Sequence, residues 1–155
     1  MSGNAAEKLA PGYKAPDLAM VGKVHLDKYL ATNGETGYLW NGVTCLVMTT
    51  IGHKSGEPRQ HPIIFSRDGN NFVVIASKGG SPEHPLWYLN LSKNPRVTLQ
   101  IKGRKFEVIA RTAKSPERER LWKEAAKAWP NYDVYVTRTS REIPVVVLEP
   151  VFPPA

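Results

Sequence analysis

The chain has 155 residues, of which 41% are hydrophobic and 23% are charged, so it has the length and composition of one globular domain with its own core. Its formal charge of +7 favours an anionic partner, such as a nucleic acid, an acidic membrane surface or a ligand with phosphate or carboxylate groups. The single cysteine, Cys45, excludes a disulfide within the chain and is expected to be a buried thiol. No signal-peptide core and no run of roughly 20 apolar residues is present, so a cytoplasmic protein is expected.

Prolines and glycines punctuate the N-terminal segment, so residues 1–15 are predicted to be a flexible arm. Apolar residues recur at near-helical intervals from Leu18 to Tyr29, which predicts an amphipathic helix. Glycines follow this helix, and among them Tyr38, Leu39 and Trp40 could cover either a core or a ligand. Residues 16–155 are expected to form a single domain that begins with this helix.

The chain beyond residue 42 is rich in β-branched and aromatic residues, in short runs bounded by turn residues. Six strands are predicted, at 43–51, 57–67, 71–77, 96–103, 104–112 and 143–150. The first three are expected to form a meander, the next two a hairpin, and the last to lie in the centre of the sheet.

Two helices are predicted between these strands. One begins with Ser81 as its N-cap and Pro82 at the first helical position, and it ends before Pro95. The other spans 115–128, and a short helical turn follows within 131–140. Because hairpins dominate and no alternation of strand and helix is present, a closed or partly closed antiparallel barrel is favoured over a doubly wound parallel sheet.

The turn from Ile51 to Arg59 collects cations and glycines at a hairpin tip. Lys54, Ser55 and Arg59 supply two positive charges and a hydroxyl, and such groups can hold a phosphate together with backbone amides. The alternative is a solvated β-turn, in which lysine and glycine are also common. The spacing is not that of a Walker loop.

A second candidate site begins where the third predicted strand ends. Gly79 and Gly80 let the backbone pass close to a flat ligand or adopt positive φ, Lys78 adds a cation, and Trp87 can stack on an aromatic ring. The alternative is a glycine-rich connection with Trp87 in the core. The residues alone favour neither interpretation.

A third candidate is the aromatic series Trp129, Tyr132 and Tyr135. The two tyrosines are three residues apart, so on a helical turn their phenols share a face, and one of them can donate a hydrogen bond or a proton. Packing in the core is the alternative interpretation.

Metal and nucleic-acid sites are not expected. The histidines show no paired zinc spacing and have no cysteine partners. The basic residues are spread along the chain, and the aromatic residues are predicted mainly in helices rather than alternating along strands, unlike those of RNA-binding sheets.

Three motifs stand in order along the chain: TTIGHKSGEPR from Thr49, ASKGG from Ala76 and PLWYLNLSKNP from Pro85, with TSREIPVVVLEP near the end. Together they resemble the deazaflavin-dependent nitroreductase family of actinobacteria, which uses coenzyme F420. The likeness covers about residues 43–150.

This resemblance implies a mainly β fold with flanking helices, a split β-barrel related to oxidases that bind flavin mononucleotide (FMN). It also implies that Lys54, Ser55 and Arg59 grip the phosphate of F420, while the strand end and the following helix line its deazaflavin ring. The implied cofactor-binding residues are His53, Lys54, Ser55, Arg59, Gln60, His61, Pro62, Ile63, Ile64, Ile75, Ala76, Ser77, Lys78, Gly79, Gly80, Leu86, Trp87, Tyr88, Leu89 and Asn90.

The implied activity is hydride transfer from reduced F420 (F420H2) to a quinone, an enone or unsaturated lactone, or a nitroaromatic compound. Trp129, Tyr132 and Tyr135 are then expected to cover this acceptor. Tyr132, Tyr135 or Ser77 is expected to be the catalytic group that polarises the acceptor or supplies a proton. F420 carries a tail of glutamates, so attraction of this small anionic cofactor would explain the positive net charge of the chain.

Two other functions stay open. One is an FMN-dependent oxidoreductase on the same barrel, and the other is a non-catalytic module that carries a cofactor or binds nucleic acid. The N-terminal helix, with Lys23 and Lys28, is expected either to cover the barrel as a lid or to rest on an acidic membrane. The predicted location is therefore the cytoplasm, with peripheral contact at the inner face of the cell membrane as an alternative, and no oligomeric state is predicted.

Overall fold

The structure is a computed structural model that describes residues 13–151 of the chain. Most of the predicted N-terminal arm therefore lies outside the described residues. The helices are α1 (Gly22–Thr32), α2 (Leu86–Lys93), α3 (Glu117–Ala128) and α4 (Asn131–Tyr135), with 3-10 turns at Lys78–Gly80 and Val136–Arg138. The strands are β1 (Leu39–Trp40), β2 (Val43–Ile51), β3 (Pro58–Ile64), β4 (Ser66–Asp68), β5 (Asn71–Ile75), β6 (Arg96–Ile101), β7 (Arg104–Thr112) and β8 (Val145–Pro150).

The strands form one curled antiparallel sheet in the order β1-β2-β6-β7-β8-β5-β4, and β3 pairs with β2. The predicted hairpin is confirmed, because β6 pairs with β7 in a register that places Val97 opposite Val108. The central position of the last strand is confirmed as well, since β8 pairs with both β5 and β7.

The prediction of six strands was wrong, because the described residues form eight. The predicted strand 57–67 is broken at Phe65 into β3 and β4. Phe65 turns into the core, where its ring centroid lies 5.8 Å from that of Phe72. As a result β3 pairs with β2 while β4 pairs with β5, so this bent segment passes from one half of the sheet to the other.

Two helix starts also differ from the predictions. The first helix begins at Gly22 rather than Leu18, because Gly22 has a φ of +58°, which a right-handed helix does not continue through. The next helix begins at Leu86, with Pro85 as its N-cap. Ser81 is not a cap of that helix, since its hydroxyl exchanges hydrogen bonds with the main chain of Glu83.

Apolar side chains pack on both faces of the sheet. One cluster lies inside the curl and includes Trp87 and Leu91 of α2. The other lies between the opposite face and the helices α3 and α4. Strand β8 serves both, because Val146 belongs to the first cluster and Val147 to the second, as alternation along a strand requires.

The helix α1 is fixed to the sheet by Tyr29, which is fully buried. Its hydroxyl donates to the Cys45 carbonyl at 3.1 Å and accepts from the Lys102 amide at 2.9 Å. Cys45 is buried, as predicted. None of the helices within the described range combines the length and the apolar character that crossing a bilayer requires. Contact with a membrane surface stays a prediction.

Candidate active site

A groove of about 290 Å³ lies between the sheet and α4. Its lining residues are Trp40, His61, Pro62, Ile63, Ile64, Ile75, Ser77, Lys78, Gly79, Pro85, Trp87, Trp129, Tyr132 and Tyr135. Three segments that are far apart in sequence therefore meet here: strand β3, the turn after β5 with the start of α2, and the aromatic series. The second and third candidate sites of the sequence form a single cavity.

The turn at Lys78–Gly80 has an unusual backbone. Its three residues have φ angles of +47°, +63° and +82° in succession, a conformation that only glycine adopts without cost. Gly80 is also required for steric reasons, because a Cβ at this position would lie 2.6 Å from the Tyr135 carbonyl oxygen. Because glycine has no side chain, the turn packs directly on α4 at Gly80, which brings the two walls of the groove together.

One part of the groove is formed by His61 and Trp87, whose rings stack with centroids 5.7 Å apart. The His61 Nε2 atom is buried and has no hydrogen-bond partner among residues 13–151. Burial lowers the pKa of His61 to about 4, so the imidazole is neutral at ordinary cellular pH. Trp87 is 9% exposed, and it both belongs to the core and lines the groove.

Trp40 carries a second buried nitrogen, Nε1, that has no partner among the described residues. Its ring packs against that of Trp129, which also lines the groove, with the centroids 5.2 Å apart. Since buried polar groups in proteins nearly always find partners, unpaired nitrogens on Trp40 and His61 at one cavity fit a polar ligand. Tyr38, Leu39 and Trp40 were each predicted to cover a core or a ligand. Of these three, Trp40 lines the groove, and β1 is the element that brings it there.

The aromatic wall is closely packed. Trp129 and Tyr132 are almost fully buried, and the Tyr132 and Tyr135 rings meet edge to face at 6.1 Å. The Trp129 indole N–H donates to the Tyr135 hydroxyl at 3.4 Å. Burial and, second, the neighbouring Tyr135 phenol raise the pKa of Tyr132, so Tyr132 stays protonated and can donate a hydrogen bond but cannot act as a base.

The predicted phosphate-binding turn lies beside a separate cavity of about 440 Å³. This cavity is lined by Ile51, Gly52, His53, Lys54, Ser55, Gly56, Lys93 and Asn94. Lys54 and Arg59 are exposed, and Arg59 donates to the Ser55 hydroxyl at 3.3 Å. Lys93, which the sequence analysis missed, donates to the His53 carbonyl at 2.8 Å. It lies three residues after Asn90 on α2, a spacing that places two side chains on the same helix face. This spacing from a predicted site residue is the one signal for Lys93 in the sequence.

Asn90 links this cationic turn to α2. Its side-chain oxygen accepts from the His53 amide at 2.9 Å and lies 2.7 Å from His53 Nδ1. Its side-chain nitrogen donates to the Thr50 hydroxyl at 3.0 Å. Asn90 is buried, so it supports the turn from behind.

Arg59, Asn90 and the remaining predicted residues line neither cavity. Ala76 lies in the core, Gly80 lies behind its turn, and Leu86 and Leu89 are exposed. Gln60 is exposed and donates to the Thr49 hydroxyl. The Tyr88 hydroxyl pairs with that of Thr112 at 2.8 Å.

Comparison with solved structures defines the class of protein. The heme storage protein HutZ of Vibrio cholerae aligns with a TM-score of 0.55 at 14% identity, covering 70% of this chain and 82% of that chain. A structure described as an F420-H2 dependent reductase (FDR-A) aligns with a TM-score of 0.63 at 40% identity, covering 68% of this chain and 93% of that one. These likenesses confirm the predicted split β-barrel of the FMN-binding type.

Comparison with sequences defines the family. The family described as F420H(2)-dependent quinone reductase matches residues 21–150. An F420H(2)-dependent quinone reductase of Mycobacterium tuberculosis is 38% identical over 130 residues, which cover 81% of this chain and 87% of that protein. The chain belongs to the F420H(2)-dependent quinone reductase family. The predicted membership of an F420-dependent family is therefore confirmed.

Proposed function

We propose that the protein reduces a quinone with F420H2. The observation that carries this proposal is the single groove in which the turn at Lys78–Gly80, the stacked pair His61 and Trp87, and the aromatic wall meet. Family membership and the names of the relatives support it.

The residues present fit the cofactor. The groove offers flat aromatic and glycine surfaces to a deazaflavin ring, together with unpaired polar atoms on His61 and Trp40. The cationic turn with Lys54, Ser55 and Arg59 offers two positive charges and a hydroxyl to its phosphate. When bound, reduced F420 supplies a hydride from the ring carbon that replaces a flavin nitrogen.

The groove residues then act on the acceptor. Reduction of a quinone to a hydroquinone leaves negative charge on a carbonyl oxygen, which requires a hydrogen-bond donor and a proton. Tyr135 suits this role, because its oxygen accepts from Trp129 and its own hydrogen is left to point elsewhere. Tyr132 stays protonated, and the Ser77 hydroxyl lies at the opposite wall.

Titration of oxidised F420 with the purified protein, followed by fluorescence, tests the cofactor assignment. We expect tight binding of F420 and weak binding of FMN measured in parallel. The double variant Lys54→Ala, Arg59→Ala should raise the dissociation constant for F420 roughly tenfold or more, since charge-assisted hydrogen bonds to phosphate are lost.

The matched control removes the same two charges elsewhere. Arg104→Ala with Lys105→Ala changes one arginine and one lysine on β7, at exposed positions that line neither cavity. An equal loss of affinity in both double variants would mean that net charge alone attracts the cofactor. FMN binding in preference to F420 would support the flavin-dependent alternative.

A further inference from the structure

The turn at Lys78–Gly80 is held in a conformation that the chain does not favour by itself. Lys78 is not a glycine, yet it has a φ of +47°, which costs free energy in a residue with a Cβ. Two internal hydrogen bonds support the turn, from the Gly80 amide to the Ser77 carbonyl at 2.9 Å and from the Ser81 amide to the Lys78 carbonyl at 3.1 Å. Such a turn needs support from outside.

Arg141 provides that support. Its guanidinium donates to the carbonyls of Ser77 at 2.7 Å, Ala76 at 3.2 Å and Ser81 at 2.9 Å. It also lies 3.1 Å from His84 Nδ1. One planar group therefore ties both ends of the turn together, which an arginine can do because its five N–H donors stand in a fixed geometry.

Because of its position in the chain, Arg141 also connects the turn to the aromatic wall. Arg141 follows α4, the helix that carries the aromatic wall, by a few residues. Arg138 in the same segment donates to the Gly79 carbonyl at 2.8 Å. The segment that extends the aromatic wall thus holds the turn that forms the opposite wall, so these contacts fix the spacing between the two.

We propose that Arg141 is a positioning residue of the reaction: it holds the Ser77–Gly80 backbone in the geometry that the cofactor requires, without itself lining the groove. This inference rests on the proposed function, in which that turn borders the deazaflavin ring.

The test begins with Arg141→Ala. The dissociation constant for F420 should rise roughly tenfold or more, since several charge-assisted hydrogen bonds are lost, and guanidinium ions at millimolar concentration should restore part of the affinity. Arg141→Lys keeps the charge but cannot serve the separate acceptors together, so its affinity should also fall. Arg141→Lys carries the test if the alanine variant does not fold.

Arg111→Ala is the matched control. Arg111 is half-buried, as Arg141 is, and its guanidinium also joins separate acceptors, the carboxylates of Glu117 at 2.6 Å and Glu149 at 3.2 Å. It contacts neither the turn nor the segment that carries Arg141, so the variant should bind F420 as the wild type does. If Arg111→Ala lowers the affinity as much as Arg141→Ala, or if the Arg141 variants bind like the wild type, the proposal is overturned.

Hydrogen exchange of the cofactor-free protein separates this proposal from the proposed function. The amides of Gly80 and Ser81 should exchange faster in Arg141→Ala than in the wild type and Arg111→Ala, whether or not F420 binds. Failure of the wild type to bind F420 would contradict the proposed function alone. Unchanged exchange at both amides would contradict the role of Arg141 alone.

Discussion

Tyr132 and Tyr135 share one wall of the groove, but because they are buried to different extents they are not equally suited to meet the acceptor. Tyr132 is almost fully buried and is held in its protonated form, while Tyr135 is half-buried and accepts the indole N–H of Trp129. The more accessible phenol is therefore the better candidate to meet the acceptor oxygen as charge develops on it. Tyr132 supports its position through the edge-to-face contact of the two rings.

Tyr135→Phe is expected to lower kcat with menadione as the acceptor by about ten- to hundredfold, because a donor aimed at the developing charge is lost. Binding of F420 should not change. The measurement is steady-state kinetics under F420H2 together with the F420 titration. Tyr38→Phe is the control, since Tyr38 is also half-buried but does not line the groove. Wild-type turnover in Tyr135→Phe would leave this tyrosine as a packing residue.

His61 should make the stability of the protein depend on pH. The unfolded imidazole takes up a proton near pH 6.5, whereas the folded one does so only near pH 4. Between these values the unfolded state binds more protons, so the free energy of unfolding should fall as the pH falls from 6.5 to 4. The stability due to neutral His61 is present above pH 6.5 and is lost below it.

Because the ring is partly exposed, we expect a loss of about 2 kcal/mol, less than a fully buried group would give. Urea unfolding of the wild type and of His61→Asn at several pH values measures it, and the difference between the two curves isolates this residue. Parallel curves would show that His61 titrates in the folded protein as it does in the unfolded chain.

At the scale of elements, the turn at Lys78–Gly80 and the helix α4 form a contact that depends on one missing side chain. Gly80 combines a φ of +82° with a backbone carbonyl in the space that a Cβ would occupy. Gly69, in the β4–β5 turn, has a φ of +60° but open space around it. Substitutions at these two glycines therefore distinguish the energetic cost of backbone strain from that of steric overlap.

Gly69→Ala should lower the free energy of unfolding by about 1 kcal/mol through strain alone. Gly80→Ala should lower it by about 3 kcal/mol, because overpacking against Tyr135 adds to the strain, and it should also weaken F420 binding. Urea unfolding and the F420 titration provide the two measurements. Equal losses of stability in the two variants would show that α4 yields to the added methyl group without cost.

At the scale of the whole molecule, the groove lies where the two halves of the sheet meet. The half that contains β2 and β3 supplies His61 and its neighbours, and the half that contains β5 and β8 leads into the turn that Arg141 holds. The bend at Phe65 connects these halves. Net charge acts on the same scale, since a chain of charge +7, with a cationic turn at the start of the strand that carries His61, attracts a polyanionic cofactor from a distance.

The sequence by itself determined the β character of the chain, the hairpin of β6 and β7, and the chemical groups of the site. Alternation and turn residues act through contacts between near neighbours, which is why these features are visible in the order of residues. The motifs around Lys54, Ser77 and Trp87 are specific enough to indicate the family by themselves.

Tertiary structure alone decided how these groups meet. The break at Phe65 and the arrival of Trp40 at the groove follow from packing between segments that are remote in sequence. Arg141 and Ser77, whose hydrogen bond holds one wall, are 64 residues apart. The order of residues reflects local conformational preference, whereas the pairing of distant surfaces depends on the free energy of the whole core. The motif TSREIPVVVLEP therefore contains Arg141 without indicating that this residue holds the turn.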